Sequence, residues 1–395
     1  MEQFQQIIDR TGTRSVKWDL REKIFKRKDV LPMWVADMDF YTADAVKDAI
    51  MKRAEHHIYG YTATDESVAE AIQQWLKKRH GWNIDQQWLT YSPGVVTSLH
   101  ILVQSLTEQG DQVMIQTPVY PPFYSAVNHH NRTLVKNPLK LVNGRYEIDF
   151  EDFEARLKNG VKLFILCSPH NPVGRVWTKQ ELRNMAELCI QYGATIVSDE
   201  IHGDLIYEGY EHIPVASLSD EISQHVVTCM SPSKTFNLAG LQASYLITRE
   251  ENLKKKIDKG FKKQGMGMLN TFGVTALEAA YLHGEPWLEE LLSVLEDHKQ
   301  YVMDSFHHKT DQIQVIQPEG TYLLWLDCRK MGMGQEKLNQ FMIEHARVGL
   351  NDGASFGDEG NGFMRMNIAC PKKTVEEGVY RIIQALNSYD KKDGE

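Results

Sequence analysis

The stretch Val226-Val227-Thr228-Cys229-Met230-Ser231-Pro232-Ser233-Lys234 decides how the chain is read. Five residues of β-rich, mostly apolar character end at Met230, a serine-rich turn follows, and a lysine stands at its lip before Asn237-Leu238-Ala239-Gly240. Outward from it, strand-like and helix-period segments alternate from about Thr64. Leu89–Ser92, Val113–Gln116, Leu163–Cys167, Ala194–Ser198 and Ala243–Ile247 read as further strands. Asp65–Arg79 (stopped by Gly81), Val95–Leu106 and Thr178–Tyr192, where Thr178 and Glu181 fit a capping box, read as helices. That alternation predicts an α/β fold with a mainly parallel sheet flanked by helices on both faces. After Gly273 the pattern changes to long helices, Ala276–His283 and Trp287–His308, then strands near Tyr322–Asp327 and Phe363–Ile368 and a helix from Thr374. The reading is a large domain over residues 48–285 and a smaller α+β domain built from 1–47 and 286–395.

The chain has 395 residues, 42% hydrophobic and 25% charged, an ordinary globular balance. A net charge of -9 repels a phosphate backbone, so no nucleic-acid partner is expected. No apolar run reaches membrane length and residues 1–10 carry no apolar leader core, which predicts no membrane association and a cytoplasmic location. Five cysteines, none in a C-x-x-C pair, read as reduced packing residues, and the fifteen histidines show no metal-ligand spacing.

Three motif matches fail on context. Gly353-Ala354-Ser355-Phe356-Gly357 fits a nucleophile elbow, but Asp358-Glu359-Gly360-Asn361-Gly362 cannot supply the helix that must follow. Ser231-Pro232-Ser233-Lys234 fits S-x-x-K without its companion motifs, and Gly265-Met266-Gly267 lacks the third glycine and preceding strand of a dinucleotide site.

Lys234 gains weight from its company at the carboxyl ends of strands, where open α/β sheets bind ligands. Its amine can form a Schiff base with a carbonyl cofactor. Asp199 follows Ala194–Ser198 and can hold a pyridine nitrogen protonated, or simply cap a helix. Asn171, in Ser168-Pro169-His170-Asn171-Pro172-Val173-Gly174, can donate to a phenolic oxygen or be a plain turn residue. Ser92-Pro93-Gly94-Val95-Val96 puts the first amides of a helix where a phosphate can bind. Together these are the parts that pyridoxal 5'-phosphate requires.

Ser231–Leu241, Ser198-Asp199-Glu200-Ile201-His202 and His170–Gly174 jointly resemble the fold-type I, pyridoxal-phosphate-dependent aminotransferase class I/II superfamily over almost the whole chain. Gly12-Thr13-Arg14-Ser15-Val16-Lys17-Trp18-Asp19 and Leu31–Phe40 are similar to its cystathionine beta-lyase branch, the one containing the MalY and PatB proteins. The resemblance implies a seven-stranded sheet and α,β-elimination from a sulfur amino acid. It implies Lys234 as cofactor attachment and base, Asp199 at the ring nitrogen and Asn171 at the phenolic oxygen. Tyr120, in Pro118-Val119-Tyr120-Pro121-Pro122, would stack on the ring, or be a core tyrosine. The amides of Val95 and Val96 and the hydroxyls of Ser231 and Ser233 would bind phosphate. Tyr61 would reach the phosphate of a neighbouring subunit, implying a homodimer, and Arg365 would grip the substrate carboxylate. The Asn171–Pro172 bond is expected to be cis. Two departures stand out: Gln242 where relatives carry a phosphate-binding arginine, and His202 where tyrosine is common, with a part in cofactor binding left open. The rival readings are an aminotransferase and a regulatory protein that keeps the fold.

Overall fold

A computed structural model describes residues 2–389. It divides into two compact units, one of residues Thr42–Asn171 and Arg175–Glu289, the other of the chain up to Tyr41, Pro172–Gly174 and the chain from Glu290 onward. The three residues Pro172–Gly174 therefore group with the amino- and carboxyl-terminal parts, an assignment that sequence pattern does not suggest.

The larger unit holds a seven-stranded sheet of β1 (Leu89–Ser92), β2 (Gln112–Thr117), β3 (Thr133–Pro138), β4 (Val161–Cys167), β5 (Thr195–Asp199), β6 (Val226–Met230) and β7 (Ser244–Thr248). Its order is β1-β7-β6-β5-β4-β2-β3, and only β7 runs antiparallel to its neighbours. Strand β3 was not read from sequence. It is an edge strand, half-exposed, and its run Thr133-Leu134-Val135-Lys136-Asn137-Pro138 has neither the apolar continuity of a central strand nor a clean alternation.

Helices begin and end where their residues dictate. Helix α1 (Glu66–His80) stops at Gly81, whose φ of 61° closes the last turn through amide bonds to Leu76 and Lys77. After it come α2 (Val95–Leu106), α3 (Pro121–Asn128) and α4 (Lys179–Gln191), the last opened by the Thr178–Glu181 capping box. Further on lie α5 (Glu251–Lys263) and α6 (Thr271–His283). The core forms where Val95, Leu99 and Leu102 of α2 meet Cys167, Val197, Val227 and Cys229 of the sheet.

Helix α7 (Glu285–Lys309) enters the second unit at Glu290. There β8 (Gln314–Val315), β9 (Leu323–Asp327), β10 (Asn351–Asp352) and β11 (Phe363–Asn367) form an antiparallel sheet ordered β8-β9-β11-β10, followed by α8 (Lys372–Tyr389). Gly353–Phe356 and Asp358–Gly360 are short 3-10 turns, so the apparent nucleophile elbow is a loop. Among the described residues no helix is long and apolar enough to cross a membrane.

Candidate active site

Parallel pairing in register carries one chemical group to each step along the carboxyl edge of the larger sheet. Cys167 of β4 pairs with Asp199 of β5, and Asp199 with Cys229 of β6. Paired residues of adjacent parallel strands share a face, so Asp199 stands between two thiols on the face covered by α2. The edge is laced by loop bonds: Ser168 N to Asp199 O and Glu200 N to Cys229 O, both 2.9 Å, and Ser244 Oγ to Ser92 O at 2.9 Å.

Asp199 is the last residue of its strand and is buried. Among the described residues its carboxylate has one hydrogen-bond donor, Ile201 N at 3.2 Å. Burial pushes its pKa up to about 7; the Ile201 amide and the Lys234 ammonium oppose this, and the neighbouring Glu200 charge adds to it. A buried carboxylate so short of donors either keeps a proton or takes a cationic partner. Its neighbours Cys167 and Cys229 stay thiols, since burial drives both far above the ordinary value.

Lys234 sits in the short helix Pro232–Thr235, half-buried and close enough to Asp199 for their charges to interact. The Ser231 hydroxyl caps that helix, accepting from Ser233 N at 3.1 Å and donating to Ala243 O at 2.7 Å, while Ser233 is half-buried. Asn171 is buried in the loop after β4, its amide 3.4 Å from Cys167 Sγ. His170 beside it approaches Pro118 O with Nε2 at 2.8 Å, and burial lowers its pKa to about 4, so the imidazole is neutral.

The cis X-Pro bonds are Thr117–Pro118 and Ser168–Pro169, which corrects the expectation for Asn171–Pro172. The chain turns sharply at once on leaving β4, and Cys167 already receives the Asn171 amide, so the tight step comes before Asn171.

Tyr120 caps α3 and packs partly buried against the core cluster that includes Val95 and Cys167. Helix α2 begins after Gly94 with no side-chain cap on its first amides, those of Val95 and Val96, and a Cβ at Gly94 would meet nothing within 4 Å. Capless amides facing open space are a cradle for an anion.

Pyridoxal phosphate needs an amine for its aldehyde, an anion opposite its ring nitrogen, a donor for its phenolic oxygen and an anion-binding end. Lys234, Asp199, Asn171 and the Gly94–Val96 amides with Ser231 and Ser233 fit that set. Gln242, in a left-handed turn with φ 51°, is exposed. His202 is buried in the loop after β5, where its carbonyl accepts from Leu205 N at 2.9 Å.

Two further predicted residues lie outside the strands of this sheet, one of them in the other unit. Tyr61 stands 97% exposed, in a stretch held by Thr62 Oγ1 2.6 Å from Thr271 Oγ1 and by Tyr59 against Phe272. Arg365, of the other unit, is buried in β11; its Nη2 donates to Asn351 Oδ1 at 2.7 Å and to Trp34 O at 3.1 Å, and its guanidinium lies 4.9 Å from the Phe356 ring centroid.

Sequence reasoning missed a buried polar cluster behind the lysine. Asp204 accepts from Thr235 Oγ1 at 2.8 Å and Trp75 Nε1 at 3.2 Å, and His80 Nε2 lies 3.2 Å away. The His80 ring meets His212 edge-on at 5.2 Å, and His212 Nε2 lies 3.0 Å from Glu200 Oε2. Thr235 adjoins Lys234 and Glu200 adjoins Asp199 in the chain, so the cluster anchors the residue next to each of them. Its partners lie up to 132 residues apart in the chain, from His80 to His212, and no local spacing announces such a pairing.

The family model for aminotransferase class I and II matches residues 28–382, and the chain belongs to that family. Within it, the chain is 44% identical to cystathionine beta-lyase PatB of Bacillus subtilis, over 97% of this chain and all of that protein. Among solved structures it is similar to a PLP-bound putative aminotransferase from Clostridium difficile 630, with TM-score 0.95, 45% identity and 97% and 99% of the two chains covered. It is also similar to the PLP-bound C-S lyase from Staphylococcus hominis, with TM-score 0.90, 34% identity and 97% of each chain covered.

Proposed function

We propose that this chain is a pyridoxal-phosphate-dependent carbon–sulfur β-lyase that acts on cysteine thioethers such as cystathionine. The observation that carries the reading is Asp199: a buried carboxylate left, among the described residues, with a single amide donor, within charge–charge reach of Lys234, in a chain 44% identical over 97% of its length to a cystathionine beta-lyase. The balanced reaction is R–S–CH2–CH(NH3+)–COO− plus water giving R–SH, pyruvate and ammonium.

When bound, pyridoxal phosphate supplies an electron sink conjugated to the substrate Cα. Lys234 would be its point of attachment, and its Nζ would be the base that takes the Cα proton. Asp199 would keep the ring nitrogen protonated, Asn171 would donate to the phenolic oxygen and Tyr120 would cover the ring face. The amides of Val95 and Val96 and the hydroxyls of Ser231 and Ser233 would hold the phosphate; the Ser231 hydroxyl, which donates to Ala243 O, would have to turn its hydrogen to take part. His202 lies in the loop that carries Asp199 and is assigned to the same cofactor wall. Arg365 is assigned to the substrate carboxylate, because its run Phe363–Asn367 resembles the family's carboxylate-binding segment and a guanidinium offers the two-pronged fork a carboxylate takes.

The working form is a homodimer. Ile58, Tyr59, Tyr61 and Met268 are large apolar residues at least half exposed in one chain, an arrangement that suits burial against a second copy. A reducing, cytoplasmic setting agrees with five buried thiols, none in a disulfide.

The test is incubation of the holoenzyme with L-cystathionine. Equimolar thiol and pyruvate are expected; conversion of an ordinary amino acid to its keto acid, with no thiol from cystathionine, would overturn the lyase reading in favour of transamination.

A further inference from the structure

In the second unit the runs Gly12–Asp19 and Leu31–Phe40 interlock around buried charges. Lys17 is wholly buried, its ammonium 2.7 Å from Asp39 Oδ2 and 3.9 Å from Asp37 Oδ1. Arg10 reaches Asp39 Oδ1 at 2.6 Å through Nη1 and Asp37 Oδ2 at 2.7 Å through Nη2, and Trp18 Nε1 donates to Asp39 Oδ1 at 2.8 Å. Two cations face two carboxylates, so the cluster is neutral in sum.

The strap of residues 33–38 between these charges and β11 is tied at every carbonyl. Met33 O accepts from Asn367 N at 2.9 Å, Trp34 O from Arg365 Nη2 at 3.1 Å and Ala36 O from Tyr322 OH at 3.0 Å. Val35 O and Asp37 O both accept from Asn367 Nδ2, at 2.6 and 2.7 Å, and Met38 O from Arg10 Nη1 at 3.1 Å. Six successive carbonyls with six specified donor contacts fix the strap in angle as well as place. One of those contacts is Arg365 itself, and the same Arg10 that ties Met38 O also joins the buried charges.

We propose that Arg10, Lys17, Asp37 and Asp39 are positioning residues for Arg365: the charge cluster fixes the strap, and Trp34 O of the strap fixes the direction in which the guanidinium points. The proposal rests on the assignment of Arg365 to the substrate carboxylate. Buried ion pairs add little net stability over apolar packing, and their best use is to specify one geometry. Two-pronged carboxylate recognition needs such a geometry, since a small misalignment of the fork weakens both bonds together.

The experiment uses holoenzyme variants Lys17→Met, Asp37→Asn, Tyr322→Phe and Arg365→Leu, with L-cystathionine as substrate and an S-alkyl cysteamine, which lacks the α-carboxylate, as a competing ligand. Lys17→Met is expected to raise KM about tenfold and Tyr322→Phe and Asp37→Asn about threefold, with kcat changed by less than about threefold. The visible absorbance of the bound cofactor and the affinity for the cysteamine should not move. If Arg365→Leu leaves KM unaltered, the carboxylate assignment has failed and takes the proposal with it. If Arg365→Leu raises KM but the three strap variants do not, the positioning role alone is overturned. Equal weakening for the carboxylate-free ligand would also overturn it, as general loosening. Should Lys17→Met fail to fold, Tyr322→Phe and Asp37→Asn decide the matter.

Discussion

Asp199 and Asp204 stand five residues apart, both buried, and the fold treats their charges in opposite ways. Burial works against the Asp204 carboxylate, yet His80, Thr235 and Arg79 together hold its pKa below the ordinary value. Asp39 is handled in the same way: burial opposes its charge, and Lys17, Trp18 and Arg10 overcome that. Asp199 receives one amide and a nearby ammonium, and burial wins. The lesson is that burial alone does not mark a functional carboxylate. A structural one is saturated with donors by the chain, whereas Asp199, left short by the chain, is the one we propose a ligand completes.

The comparison breaks most visibly if the saturated residue is disarmed. Asp204→Leu leaves the Trp75 indole, the Thr235 hydroxyl and His80 without their shared acceptor. It should destabilise the protein by about 3 to 5 kcal/mol, as removal of one partner of a buried charged network does. Denaturant unfolding measures this, and a loss under about 1 kcal/mol would mean that the cluster is not the brace described.

Asp199→Asn should do the reverse in the cofactor-free protein. The folded carboxyl keeps its proton up to about pH 7, whereas the unfolded one loses it near 3.8, so the stability it contributes is complete below pH 3.8 and lost as pH rises to 7. About three pKa units correspond to roughly 4 kcal/mol. The asparagine variant lacks that slope and should exceed the parent in stability at pH 8 by up to that amount, while the two agree near pH 4. Parallel stability–pH curves would show that Asp199 is not destabilised by burial. The loaded variant should nonetheless lose about 100- to 1000-fold in kcat, the scale for removing one preorganised electrostatic partner.

A smaller test separates the brace from the site. Thr235→Val keeps shape but removes the 2.8 Å hydrogen bond to Asp204, and a bond to a charged group contributes about 1.5 to 3 kcal/mol. Stability should fall by that amount in thermal or denaturant unfolding. Because Thr235 adjoins Lys234, the pH at which the bound cofactor changes colour should shift as well, a change that a purely structural hydroxyl would not cause.

Much of this arrangement is legible in the sequence. Strands that end in Ser-Asp-Glu, in Cys-Ser-Pro-His-Asn and in Met-Ser-Pro-Ser-Lys advertise a parallel sheet whose carboxyl edge carries chemistry, because local hydrophobic pattern and turn residues report on where strands stop. The saturation of Asp204 and Asp39 was not legible. Their donors come from distant segments, His80 from the end of α1 and Arg10 from the amino terminus, and nothing within a short window encodes which distant groups will meet. The Ser168–Pro169 bond was misplaced to Asn171–Pro172 for a related reason: both are X-Pro steps in one loop, and only the position of the turn relative to the strand end distinguishes them.

Gly203 gives the finest probe of the contrast, since it lies between the two aspartates and faces the brace. A Cβ built there would stand 2.8 Å from His212 Cδ2, 2.9 Å from His212 Nε2 and 3.1 Å from Glu200 O. The imidazole must then move, and with it the contact to Glu200 Oε2. Gly203→Ala should therefore destabilise by about 1 to 2 kcal/mol, the lower range for overpacking, because a ring can retreat where backbone cannot. If the brace and the short-handed carboxylate are separate devices, the stability–pH slope assigned to Asp199 should survive this change intact while the whole curve drops. A slope that flattened in Gly203→Ala would mean instead that His212 and Glu200 set the charge of Asp199, so that the fold's saturated and unsaturated carboxylates act as one system.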